Sequence, residues 1–166
     1  MLEELNKEVT YRDCLLYKAD TGEFFVKRDK PKKVLASEEG YLKFSKDNKS
    51  YKIKASLAAW ELGYSSLVPF DKVVLHKNLN FMDYRLRNLS LVSREVYLEV
   101  KEARKNLEGF LKMQPHKEVA FSYVVQWKEK GKVKQQVMHD VVTAKKLLLK
   151  LQLKFSKVLS KYCVFD

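Results

Sequence analysis

Cysteine is nearly absent. Cys14 and Cys163 are the only two in 166 residues. They stand near opposite ends of the chain with no CxxC and no metal-ligand spacing, so free thiols in a reducing cytosol are expected. With three prolines and five glycines there is no low-complexity tract, and no internal repeat is visible. No window approaches the ~18 apolar residues of a membrane span. The opening MLEELNKEV has no apolar core of signal-peptide length. A cytoplasmic chain with no membrane partner is the expectation. Acids are outnumbered: 21 Asp and Glu face 33 Lys and Arg, giving +12. Such a balance says nothing about fold but points to a polyanion, DNA or RNA before an anionic membrane. What is present is a hydrophobic fraction of 46%, enough to bury the core of one domain or two small ones.

The pattern along the chain mixes strands and helices. "CLLYKADTGEFFVK" has a turn signal at Asp20-Thr-Gly22 between two apolar arms, a hairpin. "RDKPKKVLASEEG" reads as a polar loop. "GYLKFSKDNKSYKIKAS" is a second hairpin. Leu42, Phe44, Tyr51 and Ile53 occupy one face, and Lys43, Lys52 and Lys54 the wet one. Ser56 is placed to cap a short helix "LAAWEL" that Gly63 would end, with Trp60 a core residue. "REVYLEVKEARKNLEGFLKM" reads as a helix from Arg94 to about Met113, with Val96, Val100, Ala103, Leu107 and Phe110 on one face. Pro115 breaks it. Then come strand, a turn at Glu129-Lys-Gly131, strand, and an amphipathic helix capped by Thr143. Leu147, Leu151, Phe155, Leu159 and Tyr162 form its apolar stripe.

Three stretches carry a resemblance: "TGEFFVK", "GYLKF…KSYKIKASLAAWELG" and "VVLHKNLNFMDYRLRNLSLVSRE". From about Tyr17 to Tyr97 the chain resembles HNH nucleases of phage and intron origin, including free-standing homing endonucleases. The resemblance implies a ββα clamp over about 70–93. In that family a carboxylate and a distal Asn hold one divalent metal on the scissile phosphate, and a histidine activates water. Here His76 stands at the general-base position, and Asp83 and Asn88 at motif positions, the Asn being structural in the family. His76, Lys77, Asn78, Arg85 and Arg87 would remain as phosphate or groove contacts. A phage- or satellite-encoded origin in a bacterial host is likewise what the resemblance implies.

The departures fall on the metal. The family's Asp before the histidine is Leu75 here, and its distal Asn is Tyr97. Tyr84 replaces an Asn, Leu79 the hairpin glycine, and Ala55-Ser56 a His-Arg pair. Asp71 shares a strand face with Leu75, but four residues span ~13 Å, far beyond a metal–oxygen bond of ~2–2.6 Å. Glu95 and Glu99 flank Tyr97 on a helix and point away from it. His76 alone is a poor ligand for Mg²⁺. No metal site and no cofactor are expected; Mg²⁺ enters only if the chain cuts after all.

The last fifty residues resemble, over a short match, the three-strand-plus-helix domain of plant ethylene-response factors, which phage HNH endonucleases also carry. Strand alternation assigns Tyr123, Val125, Trp127, Val133 and Val137 to the helix side. Gln126, Lys128, Lys132, Lys134 and Gln136 then form an outward face suited to a major groove. The expected fold class is α+β. It comprises a small N-terminal sheet with an HNH-like ββα motif (1–93), a helical linker (94–116), and a three-stranded sheet packed on one helix (117–166). The expected partner is double-stranded DNA, bound or occluded without cutting, as a repressor or nuclease blocker would. A working nicking endonuclease and a basic protein that binds RNA or an acidic partner are the alternatives. Oligomeric state is open.

Overall fold

The computed structural model describes residues 10–164; the MLEELNKEV stretch lies outside them. The chain is α+β and divides into two compact units, Met1–Val92 and Ser93–Asp166.

The first unit runs α1 (Tyr11–Cys14), β1 (Leu15–Lys18), β2 (Glu23–Val26), β3 (Lys32–Val34), β4 (Tyr41–Lys46), β5 (Lys49–Lys54), α2 (Ala55–Tyr64), β6 (Lys72–His76), a 3₁₀ turn (Leu86–Asn88) and β7 (Leu89–Ser93). β1, β2 and β3 form one sheet, and β4–β5 and β6–β7 are two-stranded. β3 lies in the stretch expected as loop; its residues 32–34 pair antiparallel with β2. Alternation does not reveal so short an edge strand. In the second hairpin Asp47 and Asn48 both sit at positive φ, the two-residue turn that matches strand twist. Lys43 faces Lys52 across the pair, and Tyr41 faces Lys54. Leu42 on the other side is fully buried. Leu15, Phe24, Val26, Leu42, Val74, Tyr84 and Leu89 close one core with the alanines of α2.

Helix α2 corrects two expectations. It starts at Ala55 after Lys54, so Ser56 is inside it, and it ends at Ser65 with φ 52°. Gly63 is internal. A Cβ there would come within 2.6 Å of Leu86 Cδ1, so this glycine serves close packing rather than termination. Gly22, at φ 74°, allows a second close approach: its Cβ would stand 2.8 Å from the Arg85 backbone nitrogen. The Leu86 N–H donates to Ala19 O at 2.9 Å, and the Tyr17 hydroxyl donates to Tyr84 O at 2.6 Å. The first hairpin thereby buttresses the loop that carries Asp83 and Arg85.

The second unit runs α3 (Arg94–Lys105), a wide turn (Asn106–Phe110), β8 (Lys112–Pro115), β9 (Tyr123–Glu129), β10 (Lys132–Met138) and α4 (Val141–Tyr162). The sheet order is β10-β9-β8. The helix expected to reach Met113 stops at Lys105. Gly109 turns the chain at φ 124°, and the third strand comes from residues 112–115, within the stretch read as linker. Asn106, 1% exposed, replaces the missing end of that strand. Its side chain accepts from Lys128 N at 2.9 Å and donates to Lys128 O at 2.8 Å, so the central strand keeps its backbone pairing. Val100 and Ala103 of α3 are buried, as are Leu151, Phe155 and Leu159 of α4, and the two helices pack on each other. Asp140, not Thr143, caps α4: its carboxylate accepts from Thr143 N at 2.8 Å.

Candidate nucleic-acid interface

The loop after β6 is built by short polar side chains that tie backbone groups. The Asn78 N–H donates to Asn88 Oδ1 at 2.9 Å, and Asn88 Nδ2 donates to Asp83 O at 2.9 Å. Asn80 N donates to Asn78 Oδ1 and Met82 N to Asn80 Oδ1, each at 3.0 Å. Lys77 N donates to Asn88 O at 2.7 Å. Leu79 takes a left-handed φ of 60°.

Asp83 is fully engaged. Arg85 Nε donates to its Oδ1 at 2.8 Å, a second guanidinium nitrogen pairs with Oδ2, and Asn78 Nδ2 donates to Oδ2 at 2.8 Å. The Arg85 hydrogen bond is the main force that holds the carboxyl down at about 2. His76 ends β6, only 8% exposed, with the rings of Tyr84 and Phe81 edge-on at 5.7 and 6.0 Å. Its Nε2 is buried and has no hydrogen-bond partner among the described residues. Burial lowers its pKa to about 4 against the opposing pull of Asp83, so the ring is neutral at pH 7.

The positions that the resemblance gives to metal ligands, and the acids near them, are placed as follows. Leu75, at a position that the resemblance gives to a ligand, is 4% exposed. Asp71 is exposed and lies 3.7 Å from Lys72. Tyr97 is half-buried on α3, and Glu95 and Glu99 are exposed on the same helix. Among the described residues no three His, Cys, Asp or Glu side chains converge. Tyr84 is not an idle replacement: it is 6% exposed and belongs to the core.

The basic residues fall into separate groups. Lys43, Lys52 and Lys54 share the uncovered face of β4–β5, with Lys52 over the Tyr41 ring at 4.7 Å. Arg85 is held by Asp83, Lys77 and Asn78 are half-buried, and Arg87 is exposed.

The C-terminal sheet overturns the expected face. Pairing places Lys132 opposite Glu129, Lys134 opposite Trp127, and Gln136 opposite Val125. Directly opposed residues share a face, so Lys132, Lys134 and Gln136 lie on the side that α4 covers. Lys134 pairs there with Glu129 at 2.8 Å, and Lys154 of α4 pairs with the same carboxylate. Val133 and Val137, expected on the helix side, lie on the other face and are 56% and 40% exposed. Gln126 and Lys128 keep the outward face. Their companions are Gln135 and Val133 from β10, and Lys112 and Gln114 from β8. Lys112, Gln114 and Gln135 were missed. The missing signal was the turn: Lys130 and Gly131 both have positive φ, a two-residue loop that fixes Glu129 opposite Lys132. Reading it as three residues slips the register by one and inverts β10.

No helix of the described residues is long and apolar enough to cross a membrane. No protein-family model and no curated protein matches the chain. Among solved structures it is similar to the HNH homing endonuclease I-HmuI, in a structure of that enzyme's DNA binding and cleavage. Identity is 15%, covering 92% of this chain and 87% of that one, with a TM-score of 0.43.

Proposed function

We propose that this chain is a duplex-DNA-binding protein on an HNH-like scaffold that no longer cuts, and that it acts by occupying a site as a repressor or nuclease blocker would. The observation that carries the reading is the fate of Asp83. Its charge acts on His76, and Arg85 and Asn78 occupy it. With Leu75 buried at one ligand position of the resemblance and Tyr97 at the other, a phosphate-bound metal has nothing to hold it beside the histidine. The basic surface supports the binding half. Of the +12 charge, the second unit carries +8, from sixteen Lys and Arg against eight Asp and Glu. Lysines release counterions from phosphates whatever the sequence, and a sheet face supplies base contacts.

The test is incubation of the purified chain with supercoiled plasmid in Mg²⁺ or Mn²⁺, beside a gel-shift assay on linear duplex. Retarded duplex and intact plasmid are expected, with His76→Ala leaving retention unchanged. Nicked circles that disappear with His76→Ala would establish an active endonuclease instead. Competition by RNA or an acidic protein far above that by duplex DNA would establish the third reading.

A further inference from the structure

We infer that the uncovered face of the C-terminal sheet reads A·T base pairs in the major groove, with Gln126 and Gln135 as the specificity-determining pair. The inference rests on the reading of the chain as a duplex-DNA-binding protein and adds which sequence it prefers. Cross-strand register puts Lys112, Gln126 and Gln135 in one row across the three strands. The next row is Gln114, Val124 and Val137. The face holds three glutamines, three valines once Val133 is included, and two lysines, with no acid among them. None of the three glutamine side chains hydrogen-bonds to another described residue, and Gln114 and Gln135 are exposed. Three strands span about 10 Å from outer to outer axis, which matches a major groove about 12 Å wide.

The chemistry selects the base pair. A glutamine amide sets an N–H donor beside a carbonyl acceptor, the complement of adenine N7 and N6. A valine in the neighbouring row offers a methyl surface to the thymine C5-methyl group. Guanine O6 and N7 are both acceptors and are matched by Arg or Lys; this face has no Arg, and its Lys112 and Lys128 donate as point charges rather than as a fork. Both lysines stand at the margin of the glutamine–valine patch, where the sugar-phosphate backbone would pass.

The experiment is selection of bound duplexes from a random pool with the full chain at about 0.15 M salt, repeated with Gln126→Ala, Gln135→Ala and a Lys132→Ala/Lys134→Ala double variant. The expected consensus is a run of A·T pairs. Each glutamine variant should lose roughly 5- to 150-fold preference for adenine at one base pair, with its melting temperature unchanged as a check on folding. The double lysine variant should keep the consensus. A G·C consensus, bound duplex without any consensus, or a consensus unmoved by the glutamine variants overturns the inference and leaves duplex binding standing. No retention of duplex by the wild-type chain overturns both.

Discussion

Two side chains, one at the end of β6 and one in the loop after it, are at odds with their surroundings, and each gives a measurable effect. His76 is buried among aromatic rings with Nε2 unbonded. Its pKa falls from 6.5 to about 4. An unfolded chain therefore binds a proton at pH 5 that the native state refuses. Stability is full above about 6.5, drops as pH falls towards about 4, and has no further dependence on this group below that. The effect is on the order of 3 kcal/mol across the window. His76→Phe, close in size and with no polar nitrogen to bury, should keep or raise stability at pH 7. It should also flatten the pH 4–6.5 slope of the melting temperature; an unchanged slope would show that another group titrates. Leu79 is the second case. At φ 60° a residue with a Cβ costs roughly 1–2 kcal/mol. Leu79→Gly relieves that against a larger unfolded-state entropy, for a net gain of roughly 0.5–1 kcal/mol in urea unfolding. From sequence, His76 was readable as a retained motif residue and Leu79 only as a departure. That Leu75 would be buried, or that Asp83 would be bound to Arg85 two residues on, depends on packing that spacing does not encode.

At the scale of elements, the readable parts are those in which periodicity or turn chemistry leaves one solution. The Asp47-Asn48 hairpin and the stripe of α4 are such cases: one is fixed by a left-handed turn, the other by five apolar positions at helical spacing. The third strand of the second sheet is not. Residues 106–110 continue a helical pattern, and only Asn106 bonding to Lys128 reveals that the chain has turned to run beside β9. That bonding makes Asn106→Ala informative. It leaves the N–H and C=O of Lys128 without partners in a buried spot, along with the Glu102 carbonyl that Nδ2 also meets at 3.0 Å. A loss of roughly 2–4 kcal/mol is expected. The chain has two tryptophans, Trp60 in the first unit and Trp127 in the second, so single-tryptophan variants can follow each unit separately. Asn106→Ala should lower the denaturation midpoint seen by Trp127 and leave that seen by Trp60 in place. A loss on both probes would mean that the units unfold together.

At the scale of the whole molecule, the proposed duplex binding divides in two: charge sets how tightly the duplex is held and side-chain chemistry sets where. Each phosphate neutralised releases counterions, so log K falls against log salt with a slope near −0.9 per contact. Sixteen cations in the second unit alone make four or more phosphate contacts a modest demand. Four contacts correspond to a slope near −3.6, and so to a loss of roughly 100-fold or more between 50 and 200 mM salt. Lys112→Gln, at the margin of the sheet face, should weaken binding to every sequence alike and make the slope shallower by about one. Gln126→Ala should leave the slope untouched and weaken only the preferred sequence. Titrations by fluorescence anisotropy at four salt concentrations, on one A·T-rich and one G·C-rich duplex, separate these two effects. If Lys112→Gln changed sequence preference, or Gln126→Ala changed the salt slope, the division between a margin that grips phosphates and a centre that reads bases would be wrong. The sheet would then meet the duplex some other way round, with the lysines on the side of α4 as the next contacts to test.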